Sequence, residues 1–153
     1  MKLQIRDATE EDVIPMVSWG KLMYEQSQFN KYDWDDIKVI GLVRMIIKDP
    51  MGIAVVAELE DSKQIVGGMI GMVREHFFGK DLEASDYAVF LAPEFRQSAA
   101  GFAVIKAYIK KATELGANEI TLGNSTGNQP DRVAKLYEKI GFTRYGYNFR
   151  MQT

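Results

Sequence analysis

Arg96-Gln97-Ser98-Ala99-Ala100-Gly101 crowds small side chains and backbone amides into a turn that opens a long helix. The first N–H groups of a helix have no partner within it and lie at the positive end of its dipole. With small residues around them, those amides can close on a phosphate or pyrophosphate. The same residues would equally let the helix pack tightly on its neighbour, and the turn alone leaves both readings open. Groups able to move protons lie elsewhere. Asp86 stands at the mouth of the strand leading to the turn, with Glu83, Glu75 and the one histidine, His76, before it. Tyr137 puts a phenol on the apolar face of a later helix. Each has a structural alternative: Asp86 as a cap at the strand's start, His76 as a solvated loop residue in "REHFF", Tyr137 as a packed core tyrosine.

Composition narrows the chemistry. The chain has no cysteine, which removes disulfides, thiolate metal sites and cysteine nucleophiles. One histidine argues against a histidine-rich metal site, so no metal is expected. A net charge of −2 speaks against nucleic acid, whose binding normally shows as a basic excess. There is no Gly-x-x-x-x-Gly-Lys-Ser/Thr loop, and Gly67-Gly68 falls inside a strand, so a nucleotide-phosphate enzyme of that kind is a poor fit. "MKLQIRDATEEDV" lacks an apolar signal core, and no apolar run reaches membrane-spanning length. With 153 residues, 46% of them hydrophobic, the expectation is one soluble cytoplasmic domain spanning 1–153, with no membrane partner.

The elements that must carry these residues follow from periodicity. "LQIRDA" alternates as a half-buried strand. Thr9 and Asp12 resemble a capping box for a helix through about Gln26, with Val13, Met16, Val17 and Trp19 inward and Pro15 a point of kinking. Asp33 is expected to cap a helix from Trp34 to about Lys48, with a stripe of Ile37, Ile40, Val43 or Arg44, and Ile47. Residues 53–59 and 64–77 read as a hairpin whose glycines 67, 68 and 71 suggest close packing or bulging. "GKDLEAS" reads as a loop, and Asp86 opens a strand whose body is Tyr87–Leu91, ended by Pro93. The helix after the turn turns Phe102, Ile105, Ile109, Ala112 and Leu115 to one face and stops at Gly116. Residues 118–124 form a strand, "DRVAKLYEKIG" a helix with Val133, Leu136, Tyr137 and Ile140 on one face, and "FTRYGYNFRM" one or two closing strands. The order is β-α-α-β-β-β-α-β-α-β, an α/β (α+β) mixed central sheet flanked by about four helices.

Strand, "APEFR", small-residue turn, helix, strand and a helix ending "LYEKIGF" resemble the GNAT N-acetyltransferase superfamily over essentially the whole chain. Its signature, Arg/Gln-x-x-Gly-x-Gly/Ala, reads here Arg96 to Gly101, with Ala99 where glycine is usual; the "Arg-x-x-x-Ala-Gly" form looks like small bacteriophage and bacterial members. The resemblance implies that acetyl-CoA is the co-substrate. Its pyrophosphate would meet the amides of Gln97, Ser98, Ala99, Ala100, Gly101 and Phe102, and its pantetheine arm would pair with the backbone of Phe90 and Leu91. Tyr137 matches the position of the superfamily's general acid, and Asp86 a place where relatives often carry a carboxylate base, with Glu83, Glu75 and His76 as rivals. Relatives often contact CoA through an asparagine ahead of "LYEKxGF"; that position is Pro130 here, leaving Asn128 as a substitute from the loop.

The acceptor pocket is implied to lie between the first two helices. Trp19, Tyr24, Phe29, Tyr32 and Trp34 stand there with Asp33, Asp35 and Asp36, a surface suited to a cationic amine, small molecule or lysine peptide. Tyr145 and Tyr147 are placed at the rim or in a dimer contact, and because relatives are often dimers, a homodimer is among the implied partners. The implied function is N-acetylation of a primary amine by direct attack. The alternative is a catalytically idle acyl-CoA-binding or protein-interaction module on the same fold.

Overall fold

A computed structural model describes all 153 residues. Five strands form one sheet in the order β1-β2-β3-β4-β5: β1 Leu3–Asp7, β2 Gly52–Leu59, β3 Ile65–Glu75, β4 Leu82–Leu91 and β5 Glu119–Thr121. The first four run antiparallel to their neighbours, and β5 joins β4 in parallel after the crossover through a helix. Four α-helices flank the sheet: α1 Val13–Glu25, α2 Asp36–Lys48, α3 Ala100–Glu114 and α4 Pro130–Ile140. β3 is central and covered on both faces, which is why it reads as a nearly continuous run of apolar residues and glycine.

Two cores result. Helices α1 and α2 bury Val13, Met16, Val17, Val43 and Ile46 against one face, together with Val56, Ile70, Met72 and Phe90. Helix α3 buries Val104, Ile105, Tyr108 and Ala112 against the other, with Tyr137 of α4 at its margin. Away from the turn, Arg6 bridges Asp12 at 2.7 Å and also pairs with Glu58, tying β1, β2 and the start of α1 together. Burial would raise the Asp12 carboxyl, but hydrogen bonds from Arg6 and Thr9 outweigh it and hold the group below its ordinary range. These paired charges wall a polar hollow of about 640 Å³, whose donors and acceptors are thus already engaged with one another.

Several elements differ from expectation. Helix α2 begins at Asp36, and its cap is Asp35, not Asp33: Lys38 N–H donates to Asp35 Oδ1 at 3.0 Å. That shift turns Ile37 out to solvent and puts Ile46 in the stripe. Pro15 lies in the first turn of α1, where its missing N–H costs no helical bond, and α1 is unbroken to Glu25. Helix α3 buries Ile105 and Ala112 as expected, but Val104 and Tyr108 join them inside and Phe102 is exposed. β4 starts at Leu82, so "DLEAS" is mostly strand and Asp86 lies mid-strand. β5 is three residues long, and residues 142–153 form no strand at all.

Candidate active site

Two local irregularities build the site. The β3–β4 ladder slips by one residue, pairing Ile70 with Ala88 and Gly71 with Asp86, so Tyr87 is the extra residue of a bulge. A bulge bends its strand and re-aims the neighbouring side chains. Gly71 is required there: a Cβ would fall 2.2 Å from Tyr108 Oη and 2.4 Å from the Ser85 carbonyl. On the other side of β4, pairing with β5 covers only Glu83–Ser85 against Glu119–Thr121. From Asp86 onward the two chains part, leaving the β4 edge through Phe90 and Leu91 without a partner strand.

Asp86 and Tyr137 meet where the strands separate. Gly123 N–H donates to Asp86 Oδ1 at 2.8 Å, and Tyr137 Oη donates to the Gly123 carbonyl at 3.2 Å. Burial pushes the Asp86 carboxyl above its ordinary range, against the stabilising Gly123 N–H. Tyr137 is 8% exposed, and burial, then the Asp86 charge, drives its phenol far up, so it holds its proton throughout the neutral range. The two groups are thus shifted in the same direction and share Gly123 as their hydrogen-bonding partner. Tyr108 adds a fully buried phenol, whose hydroxyl has no hydrogen-bond partner and is likewise raised by burial, then by Asp86.

The rival bases are placed elsewhere. Glu83 lies on the closed part of the β4–β5 pair and accepts from Thr121 Oγ1 at 2.9 Å and Ser85 Oγ at 3.3 Å. His76 stacks against both Phe77 and Phe78 on the exposed hairpin, 4.0 Å from Glu83. Glu75 ends β3, opposite Leu82.

The turn before α3 fits an anion in part. The amides of Gln97, Ala99, Gly101 and Phe102 donate to nothing within the chain. Two of the six expected donors are committed: Ser98 N–H to the Phe95 carbonyl at 3.1 Å and Ala100 N–H to Ser98 Oγ at 3.1 Å. Ala99 has φ −68° and ψ −6°, an ordinary helical pair that needs no glycine. Gly101 answers to packing, since a Cβ there would meet Leu91 Cδ1 at 3.1 Å. Arg96 donates from Nε to the Leu91 carbonyl at 3.1 Å and from Nη2 to Gln26 Oε1 at 2.6 Å.

Gln26 and Gln28, which carry no signature in the sequence, organise the rim. The Gln26 carbonyl accepts from Asn128 Nδ2 at 3.0 Å, so Asn128 faces the α1–α2 connection. Gln28 N–H donates to the Thr126 carbonyl at 2.9 Å, and its side chain donates to Ser125. The expected acceptor aromatics pack largely on one another: Tyr24 lies 5.0 Å from Trp34 and donates to the Tyr32 carbonyl, Phe29 lies 6.5 Å from Tyr32, and Trp19 donates to the Ile65 carbonyl at 2.7 Å. Of the three aspartates, Asp35 caps α2 and Asp36 accepts from Trp34 Nε1 at 2.9 Å, which leaves Asp33 as the unpaired charge. Gly123 fell inside the strand expected over 118–124, whereas β5 ends at Thr121 and leaves Gly123 beyond it.

No three or more His, Cys, Asp or Glu side chains group to hold a metal, and no helix is long and apolar enough to cross a membrane. No curated protein sequence matches the chain. Solved structures of low identity share its fold. AAC(6')-Iy, in complex with the bisubstrate analogue CoA-S-monomethyl-acetylneamine, is 15% identical with a TM-score of 0.80, over 100% of this chain and 99% of that one. A transcriptional regulator from Bacillus halodurans C-125 is 22% identical with a TM-score of 0.78, over 99% of this chain and 100% of that one. Glucosamine-6-phosphate N-acetyltransferase from Arabidopsis thaliana is 17% identical with a TM-score of 0.75, over 99% of this chain and 99% of that one. Residues 8–142 match the sequence profile of the acetyltransferase (GNAT) family, and the chain belongs to that family.

Proposed function

We propose that the chain is a cytoplasmic, single-domain, acetyl-CoA-dependent N-acetyltransferase that acetylates a primary amine by direct attack, and that it works as a homodimer. The reading rests on one arrangement: Asp86 and Tyr137 converge on Gly123 at the point where β4 and β5 part. Acetyl-CoA supplies the activated thioester carbonyl. The free β4 edge at Phe90 and Leu91 takes the pantetheine arm as a short added strand. The amides of Gln97, Ala99, Gly101 and Phe102 hold the pyrophosphate with Arg96, whose guanidinium leaves the Leu91 carbonyl to do so. Asn128 borders this site from its bond to Gln26.

Asp86 takes the proton that the amine must lose, directly or through a water, as the C–N bond forms. Tyr137 delivers its Oη proton to the departing sulfur as the C–S bond breaks, and recovers it by way of solvent. With no cysteine in the chain, no thiol can carry the acetyl group, which favours direct attack. On the acceptor side the unpaired Asp33 favours a cationic amine, a class that includes the aminoglycoside-like and amino-sugar acceptors of the similar folds.

Thermal unfolding with acetyl-CoA and with free CoA tests the binding half of this reading. At about 100 times its Kd a ligand adds ~2.7 kcal/mol, enough to raise Tm by several degrees. Stabilisation by neither would sink the proposal. Thiol release over polyamines, aminoglycosides, amino sugars and lysine peptides then tests the chemistry. Binding without turnover on any of them returns the chain to an idle acyl-CoA-binding module.

A further inference from the structure

We infer that Tyr108 is a positioning residue for Asp86, whose buried hydroxyl turns to the ionised carboxylate and holds it in place; the inference rests on Asp86 as the proposed base. Tyr108 is 0% exposed, and its Oη is the one buried side-chain polar atom in the chain with no hydrogen-bond partner. Packing does not account for that hydroxyl. A phenylalanine ring would fill the same space without leaving a buried donor unpaired, and unpaired buried donors are rare because each one costs the fold. β3 gives up a side chain at the same point: a Cβ on Gly71 would fall 2.2 Å from Tyr108 Oη and 2.9 Å from its Cε2. Helix and strand are thus both shaped around the hydroxyl.

The strand register gives the hydroxyl its partner. Gly71 pairs with Asp86 across the β3–β4 ladder, and partners directly opposite each other project to the same face of a sheet. The Cβ direction of Gly71 meets Tyr108, so Asp86 projects from the face that α3 covers. Ala84, two residues earlier on β4, accordingly shares one core with Tyr108 and Tyr137. Asp86 Oδ1 accepts from Gly123 N–H at 2.8 Å, and a carboxylate can accept several donors at once. The other polar groups on the surrounding elements are engaged or in solvent. Tyr137 of α4 donates to the Gly123 carbonyl, and Lys111 of α3 pairs with Asp7 at 2.8 Å. On β4, Glu83 accepts from Thr121 and Ser85, and Tyr87 is half-exposed. Burial, then the Asp86 charge, keeps the Tyr108 phenol protonated, so it stays a donor while the carboxyl titrates.

Titration of the Asp86 carboxyl by carbon NMR on the full chain tests this, with the resonance assigned by its loss in Asp86→Asn. A donor to the ionised form lowers a carboxyl's pKa. Tyr108→Phe keeps the ring and removes the donor, so it should raise the Asp86 midpoint by about one pH unit. A ring-fluorinated tyrosine at position 108, a stronger donor of the same shape, should move the midpoint down. The acid limb of kcat/KM should follow the midpoint in both variants. A midpoint that moves in neither variant overturns the inference whatever happens to Tm, because the hydroxyl then only packs or turns to the Ser85 carbonyl. A midpoint that moves while the limb stays fixed, or with no turnover to profile, upholds the contact and removes Asp86 as the base, so the two readings fail separately.

Discussion

Two carboxylates three positions apart on β4 have opposite fates. Glu83 lies where β4 and β5 are paired, half-covered, with two hydroxyls donating to it. Asp86 lies where the strands part, with one backbone N–H for company and its charge disfavoured by burial. The two hydroxyls engage Glu83 within the closed part of the strand pair. Burial raises the Asp86 carboxyl above its ordinary range, the direction that the proposed base requires. The raised carboxyl thus lies where β5 separates from β4, and the same separation frees the edge that a ligand could pair with.

The comparison can be broken from either side. Tyr137→Phe keeps the ring packed but removes the proton donor, and should lower kcat by about 10²–10³-fold with little change in acetyl-CoA affinity. Unchanged kcat would return Tyr137 to a purely packing role. Gly71→Ala attacks the bulge that aims Asp86: its Cβ would collide with the Ser85 carbonyl and Tyr108 Oη. Denaturant unfolding should show a loss of at least ~1–3 kcal/mol. Native-like stability would mean that the bulge adapts and does not fix Asp86. Glu83→Gln keeps an acceptor for Thr121 and Ser85, so kcat/KM should stay within about twofold of the parent. A loss as large as that from changing Asp86 would erase the distinction between the two ends of the strand.

Much of this geometry could be read from the residues, and the unread parts share a cause. The turn at Arg96–Gly101 and the phenol at Tyr137 are local patterns, a helix start and a helix face, and both fall where they were expected. The meaning of the turn is divided, however. Gly101 is small because Leu91 lies against it, while Ala99 tolerates its methyl because its backbone is helical. Asp86 was named, but as the first residue of a strand; its burial depends on a register slip between β3 and β4 that no local pattern encodes. Gly123 and the glutamines at 26 and 28 act through backbone contacts across the fold, which side-chain type does not advertise. Asp35 displaced Asp33 as the cap because adjacent aspartates are equivalent in sequence and differ only in backbone direction. The closing strand expected over residues 142–151 does not form, because a strand needs a partner to supply its ladder.

The central claim is that Asp86 is the base and that its basicity comes from burial at the opening. Its folded pKa is raised, so the stability that its protonated form contributes is complete below the unfolded value of about 3.9 and is lost as pH rises through the folded value. Activity runs the other way, because the base must be ionised. The direct measurement is the pH profile of kcat/KM for the parent and Asp86→Asn, with Tm recorded at each pH. The account predicts a parent acid limb above the ordinary carboxylate range. In Asp86→Asn it predicts about 10²-fold lower kcat/KM without that limb, together with a Tm at neutral pH no lower than the parent's. An Asp86→Asn enzyme with parental kcat/KM and the same acid limb would contradict it.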